Sequence, residues 1–459
     1  MHSHSPTAAL LEPPSLGRGA FALLAGLLMI SALATEHDFD VSTADAFTST
    51  ADEMEDQAAG GNPLRRVAFL ALAAVGVWGL AAGKQPFRTI GLLAAAMLAF
   101  VGWSAASVLW SIDPSMTIRR VIVLVCFFLG AAGLARLLSP RDLMKLALVC
   151  SAVFLAIGFA TELALGTFRP WAGDYRFSGT QHPNTQGMNL AMLCLSSFCL
   201  AREANRGRVA LFVLFGVGFL FLILTKSRTS CAAVLVALWP LWLLKYRPQI
   251  AVAVGAGAGW VIAAGVLGFL LVGVDVVQEA ADVALLGRED EAESLTGRIP
   301  IWTELAPYLA ERPLVGYGFG TFWTPEHIER ITETLQWPIR EAHSSYIDTV
   351  LSVGLIGAAI MAVIVVLAMT KCAARYVDTG EGSYGFLFGL SLYCLINAGT
   401  ESGMTMLLFA SFIVTTGFAQ LAFRPVASSP RVAVLDRRAV VRERAPLRSG
   451  LRPSTAGRG

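Results

Sequence analysis

"RVALFVLFGVGFLFLILTKSRTSCAAVLVALWPLWLLKY" (residues 208–246) is almost one apolar run, broken only at "TKSRTS". Lys226 and Arg228 stand in the break. Two cations side by side are costly in mid-bilayer and belong at its edge. The stretch therefore reads as two membrane spans, 208–225 and 229–244, joined by a tight hairpin with the charges at its tip. Helices are expected, because a chain in lipid must satisfy its own backbone hydrogen bonds.

The rest of the chain repeats this pattern. Of 459 residues, 55% are hydrophobic and 15% charged, against about 25% charged in a soluble domain. Mean hydropathy is +0.62. A bilayer-spanning helix needs about 20 apolar residues. Ten further segments meet that pattern: 18–35, 66–83, 88–111, 119–137, 143–165, 187–203, 249–274, 345–370, 384–400 and 404–423. The expected fold is an all-α polytopic membrane protein of about 12 transmembrane helices, with one large outer loop, 275–344, that carries short helices. Residues 18–423 form a single transmembrane domain. Residues 1–17 read as a polar cytoplasmic leader, although Arg18 and "SALA" also make the first segment resemble a cleavable signal. Residues 424–459 carry nine arginines with Pro, Ser and Gly and read as a disordered, basic cytoplasmic tail.

With 35 basic and 33 acidic residues, the net charge is +2. That balance points to no nucleic-acid partner. The seven cysteines fall in or beside apolar segments, with no CxxC pair, so neither disulfides nor a thiolate metal site is expected. No HxxxH occurs, and no DxD or ExD signature stands beside a lipid-facing groove to suggest a metal. The acidic run "REDEAE" (288–293) lacks calcium-loop spacing.

Orientation follows the basic residues of short loops. With the N-terminus in the cytoplasm, Lys84, Arg88, Arg136, Arg141, Lys145, Arg202, Arg206, Arg208, Lys245, Arg247, Lys371 and Arg375 all fall inside. The acidic segment 36–58 falls outside. Arg65, Arg66, Arg119, Arg120, Lys226 and Arg228 then sit at outer span ends, against the rule. Outer segments 166–186 ("GTFRPWAGDYRFSGTQHPNTQ"), "TKSRTS" and 275–344 gather His182, His327 and His343. Within the long loop, Ile299, Trp302, Leu305, Ala306 and Leu309 form a helix-like stripe. Pro300 suits a first turn and Thr296 an N-cap. A surface helix over 298–311 is expected, its Trp at the lipid interface and Arg298 at its N-terminal end, where an anion would be attracted.

"TGRIPIW" (296–302), "RPLVGYGFGTF" (312–322) and "HSSYIDTVLSVGLIG" (343–357), in one outer loop after nine spans, resemble the O-antigen ligase and polymerase family. "SVLWSIDPSMTIRR" (107–120) and "RFSGTQHPNTQG" (176–187) are similar to its exopolysaccharide-polymerase branch. The resemblance spans roughly residues 90–420. It implies a bacterial inner-membrane glycosyltransferase whose periplasmic face moves a glycan from undecaprenyl diphosphate to an acceptor. The acceptor is lipid A–core for a ligase and a growing polysaccharide for a polymerase. The resemblance further implies a metal-independent, inverting reaction without cofactor, with arginines on the diphosphate and a histidine near the acceptor. Membrane lipids and polysaccharide export components are the other partners it suggests.

Negative charge grows on a departing diphosphate, and fixed cations in a low-dielectric site stabilise it. Arginine presents a planar fork to phosphate oxygens and stays charged. Arg228 and Arg298 are the leading diphosphate candidates, with Lys226, Arg119 and Arg120 behind them; lipid-headgroup snorkelling is the plainer reading of each. The attacking hydroxyl needs a proton acceptor, and histidine titrates in the right range. His343 is the candidate base, with Glu341 to orient it or to act itself. Arg176, His182, Tyr317, Tyr346 and Glu401 are candidates for glycan or acceptor binding. Two other classes fit the sequence. A flippase for lipid-linked glycan would spread its charges through the bilayer depth, and a non-catalytic component of a secretion complex would tolerate substitution at these positions.

Overall fold

The computed structural model describes residues 17–36, 63–83, 87, 91–173, 175–246, 257, 298–336, 339–403, 405 and 407–424. Among them are α1 (Arg18–Glu36), α2 (Pro63–Ala82), α3 (Gly91–Ala106, continued by a 3-10 turn Ser107–Leu109), α4 (Pro114–Leu137), α5 (Pro140–Leu165) and α6 (Pro183–Glu203). They continue with α7 (Arg208–Leu224), α8 (Arg228–Tyr246), α9 (Arg298–Glu311), α10 (Pro325–Leu335), α11 (Ser345–Thr379), α12 (Gly382–Asn397) and α13 (Phe409–Phe423). No strand occurs among the described residues. The protein is an all-α polytopic membrane protein. By length and apolar composition, α2, α3 with its 3-10 extension, α4, α5 and α11 can each cross a bilayer. Apart from residue 257, the expected span 249–274 lies outside the described residues, as do Thr296, "REDEAE", most of the acidic segment, most of the leader and the tail beyond Arg424.

Several helices start three to five residues before the expected spans. Asp113, Ser139, His182 and Thr324 each accept a backbone N–H of the first turn, and each is followed by proline. A polar N-cap with Pro at N1 starts a helix efficiently, but its polar first turn is invisible to hydropathy. As a result Arg119 and Arg120 lie within the opening turns of α4.

The α11 helix runs nine residues past the expected span and is interrupted at Gly354 (φ 69°, ψ −178°). A β-carbon there would collide with the Leu314 carbonyl oxygen. The glycine-rich segment 312–320 enters this break and takes up the freed backbone groups. Tyr317 N donates to Leu351 O (2.8 Å), Gly318 N to Ser352 O (3.1 Å) and Trp103 Nε1 to Val353 O (2.9 Å). On the other side, Leu355 N and Ile356 N donate to Pro313 O and Leu314 O. Broken backbone at membrane depth persists where protein buries and satisfies it. Gly316, Gly318 and Gly320 all have positive φ, the conformation that glycine supplies to tight turns.

Two apolar cores result. The larger joins the membrane helices, with fully buried Leu134, Leu143, Leu190, Phe386 and Tyr393. The smaller joins α9, α10 and the start of α11 through Ile301, Leu305, Leu309, Phe322, Ile331, Ile347 and Leu351. Its buried α9 face is thus Ile301–Leu305–Leu309, one step from the expected stripe. Trp302, expected at the lipid interface, packs on this core instead, and its Nε1 donates to Ala342 O at 2.8 Å. The seven cysteines are free.

Candidate functional site

Five segments converge at one end of the bundle: the 166–182 connection with the start of α6, the α7–α8 turn, the first residue of α9, the 340–345 segment and the α12–α13 connection. Arg298 Nη2 lies 2.6 Å from Glu401 Oε1, with both side chains largely buried. Asn184 Nδ2 donates to the same Glu401 oxygen at 2.8 Å. Arg176 Nη2 donates to Asn184 Oδ1 at 3.0 Å, and its Nε donates to Thr225 O at 3.0 Å. One chain of hydrogen bonds thereby runs from α9 through the 401 loop and the start of α6 to the α7–α8 turn.

The second half of the site is the pair His343–Glu341, Nδ1 to Oε1 at 3.0 Å. His343 adopts φ 48°, a left-handed conformation uncommon for any residue but glycine. Such strain concentrates at functional sites. Ser345 N and Oγ donate to Glu401 O (3.1 and 2.8 Å), which places the histidine segment against Glu401. His182 caps α6, its Nδ1 accepting from Asn184 N at 3.3 Å. It lies within the electrostatic reach of Glu341, His343, Arg340 and Arg176.

The charges of this cluster are unevenly held. Burial opposes charge on His343, yet its hydrogen bond and attraction to Glu341, aided by Glu401, raise its pKa above 6.5. Burial pushes Glu341 up, but His343, Arg340 and His182 outweigh it and leave its carboxyl below the usual value. The two directions agree on an ion pair, His343⁺–Glu341⁻. His182 is pushed down to about 4, chiefly by burial. Two nearby histidines are therefore driven apart, the pattern that separates roles in acid–base sites. Glu401 is raised by burial, which Arg298 and His343 only partly offset. Glu341 Oε2 is buried with no hydrogen-bond partner among the described residues, and a buried acceptor without a partner calls for explanation.

Of the sequence candidates, Arg176, His182, Arg298, Glu341, His343 and Glu401 come together here. Arg228 opens α8, is exposed, and makes no side-chain hydrogen bond or ion pair with the described residues. Its neighbour Thr229 meets Thr400 hydroxyl to hydroxyl at 3.1 Å, one residue from Glu401. The Lys226 ammonium donates to Gly173 O. Arg119 attracts Asp113, and the aliphatic stem of Arg120 lies beside Gly320. Tyr317, a glycan candidate by sequence, is buried. Its hydroxyl donates to Tyr308 O and meets Glu311 Oε2, both at 3.0 Å, and its ring packs on Tyr308, Phe322 and His327. Tyr346 donates to Leu395 O at 2.7 Å, tying α11 to α12. Sequence reasoning missed Asn184, which no spacing rule marks. It also missed Asp348, although an acid inside an apolar helix is itself a signal.

Residues 209–362 match the family model described as O-antigen ligase. That interval runs from α7 into α11 and contains Lys226, Arg228, Arg298, Glu341 and His343. The chain is also 23% identical over 315 residues to "Exopolysaccharide production protein ExoQ" of Rhizobium meliloti (strain 1021), covering 66% of this chain and 71% of that protein. Together the two likenesses bear out the resemblance drawn from the motifs: this chain is similar to the O-antigen ligase and polymerase family.

Proposed function

We propose that the protein is a membrane glycosyltransferase of the inner membrane, working at its periplasmic face. It moves a glycan from undecaprenyl diphosphate to an acceptor hydroxyl, without metal and with inversion. The observation that carries this reading is the convergence of Arg176, Arg298, Glu401, His182 and the Glu341–His343 pair at one end of an apolar bundle. Arg298 and Arg228, with Arg176 beside them, bind the diphosphate; Glu401 holds Arg298 in place until the donor arrives. Lys226, Arg119 and Arg120 supply outlying positive charge. The acceptor oxygen attacks the anomeric carbon and the carbon–oxygen bond to the diphosphate breaks. The leaving phosphate keeps the electron pair, stabilised by the arginines. The acceptor proton passes to neutral His343, whose imidazolium is then stabilised by Glu341. His182 orients the acceptor.

Both acceptors fit this chemistry. The likeness to an exopolysaccharide production protein favours a growing polysaccharide over lipid A–core.

The test is transfer by purified protein in membranes, with lipid-diphosphate donor and each acceptor supplied separately. Loss of transfer in Arg298→Ala and His343→Ala, with normal protein levels, is expected. Near-normal turnover in both would overturn the assignment. Passage of lipid-linked glycan across the membrane without transfer would establish a flippase instead.

A further inference from the structure

Asp348 lies in the first turn of α11 and is 9% exposed. Three donors from three segments converge on its carboxylate. Trp323 Nε1 reaches Oδ1 at 2.9 Å and Ala342 N reaches the same oxygen at 3.2 Å. The Ser402 hydroxyl donates to Oδ2. Ala342 sits between Glu341 and His343, and Ser402 directly follows Glu401. One side chain thus grips the backbone beside the histidine pair and the Ser402 hydroxyl beside the carboxylate that holds Arg298.

We propose that Asp348 is a positioning residue of the transfer site, a buried three-way tie that sets the His343–Glu341 pair against the Arg298–Glu401 pair. The inference rests on the glycan-transfer reading for its kinetic consequence only.

Three considerations support it. With three protein donors on its two oxygens, Asp348 is suited to tying segments together rather than to binding substrate. Without Asp348, Ala342 N would be a buried donor with no acceptor, which folded proteins avoid. The left-handed backbone of His343 needs surroundings that over-determine it. Those surroundings are Asp348 on Ala342 N, Trp302 on Ala342 O and Ala398 O accepting from Ser345 N at 2.9 Å. When the tie on Ala342 is lost, the 341–343 segment can relax and the His343–Glu341 contact loosens. His343 is then left among Glu401, Arg298 and His182 without its closest partner.

The test compares Asp348→Asn, Asp348→Ala and Ser402→Ala in the full-length protein in detergent. In the Asn variant the amide oxygen still accepts from Trp323 and Ala342. Its NH2 donates to Ser402, whose hydroxyl turns from donor to acceptor. Two readouts are used. One is the pH midpoint for modification of His343 by diethyl pyrocarbonate, followed by peptide mass spectrometry. The other is kcat and KM for transfer. Asp348→Ala is expected to move the His343 midpoint down toward 6.5. It should lower kcat by about 10- to 100-fold, the scale of small misplacements at a reacting centre. Asp348→Asn should restore both to near the starting protein. Ser402→Ala, which deletes one tie and opens little space, should lower kcat by about threefold on the same reasoning. It keeps the test decisive if Asp348→Ala does not fold.

An unmoved midpoint and kcat in folded Asp348→Ala would overturn the inference. So would an Asn variant as impaired as Ala, because the charge rather than the tie would then be what matters. If the unmodified protein shows no transfer, the glycan-transfer reading fails alone and the modification midpoint still decides the tie.

Discussion

Arg298 and Glu401 meet at 2.6 Å across 103 residues of chain. Breaking a buried ion pair from one side costs about 3–5 kcal/mol, because the remaining charge is stranded. Arg298→Ala should therefore lower both thermal stability and transfer. Adding Glu401→Gln should restore most of the stability and none of the transfer. Unfolding curves and turnover, measured on the same three proteins, check this; a double variant that regains activity would remove Arg298 from the diphosphate site.

The Glu341–His343 pair predicts a pH profile. The base must be neutral, and the His343 pKa is raised above 6.5, so kcat/KM should rise with pH through that raised value. Glu341→Gln removes the raising partner and should shift the acid limb downward. The pair has a matching stability window. The contribution of His343 is present below 6.5 and is lost as pH rises through its folded value. The contribution of Glu341 is present above 4.5 and is lost as pH falls through its lowered value. Initial rates and melting temperatures across pH test the two halves separately.

Arg228 has no side-chain partner among the described residues. Removing it should leave stability within about 0.5 kcal/mol, as for an ordinary surface change. If it contacts the leaving diphosphate, Arg228→Ala should cost about 100-fold or more in kcat/KM, the scale of losing one charge-stabilising donor. Arg228→Lys should recover part of this, because lysine keeps the charge but not the fork. A melting temperature that falls along with activity would count against the assignment.

Gly354→Ala tests the break in α11. The added methyl meets Leu314 O, and the backbone conformation (φ 69°, ψ −178°) is one that essentially only glycine adopts. A destabilisation of about 2 kcal/mol or more is expected, with transfer falling because the loop seated in the break also carries the core under α9. Thermal unfolding in detergent measures the first effect, and specific activity of the folded fraction the second.

The helices were legible because lipid admits few backbone solutions. Eleven of the twelve apolar segments coincide with described helices; the twelfth, 249–274, lies outside the described residues except at 257. The helix starts were less legible, since Asp113, Ser139 and His182 act through local hydrogen bonds that hydropathy does not weigh. Arg298 drew attention as the first residue of a surface helix, and His343 as a titratable group at the start of an apolar segment. Tyr317 shows the limit of that approach. It stood among the glycan-binding candidates, yet its ring fills the small core and its hydroxyl is bonded within the protein.

The sequence by itself determined the material, the helices and the charges at their ends, because hydrophobic length and the cost of a charge in lipid are local quantities. Only the tertiary structure decided which charges meet. Glu401 could have served any of several arginines; packing of α9 against α11 and of the 401 loop against Ser345 assigns it to Arg298 and Asn184. The burial of Asp348 likewise depends on Trp323, Ala342 and Ser402, which reach it from three other segments. Those are properties of segments far apart in the chain, and no window of residues contains them.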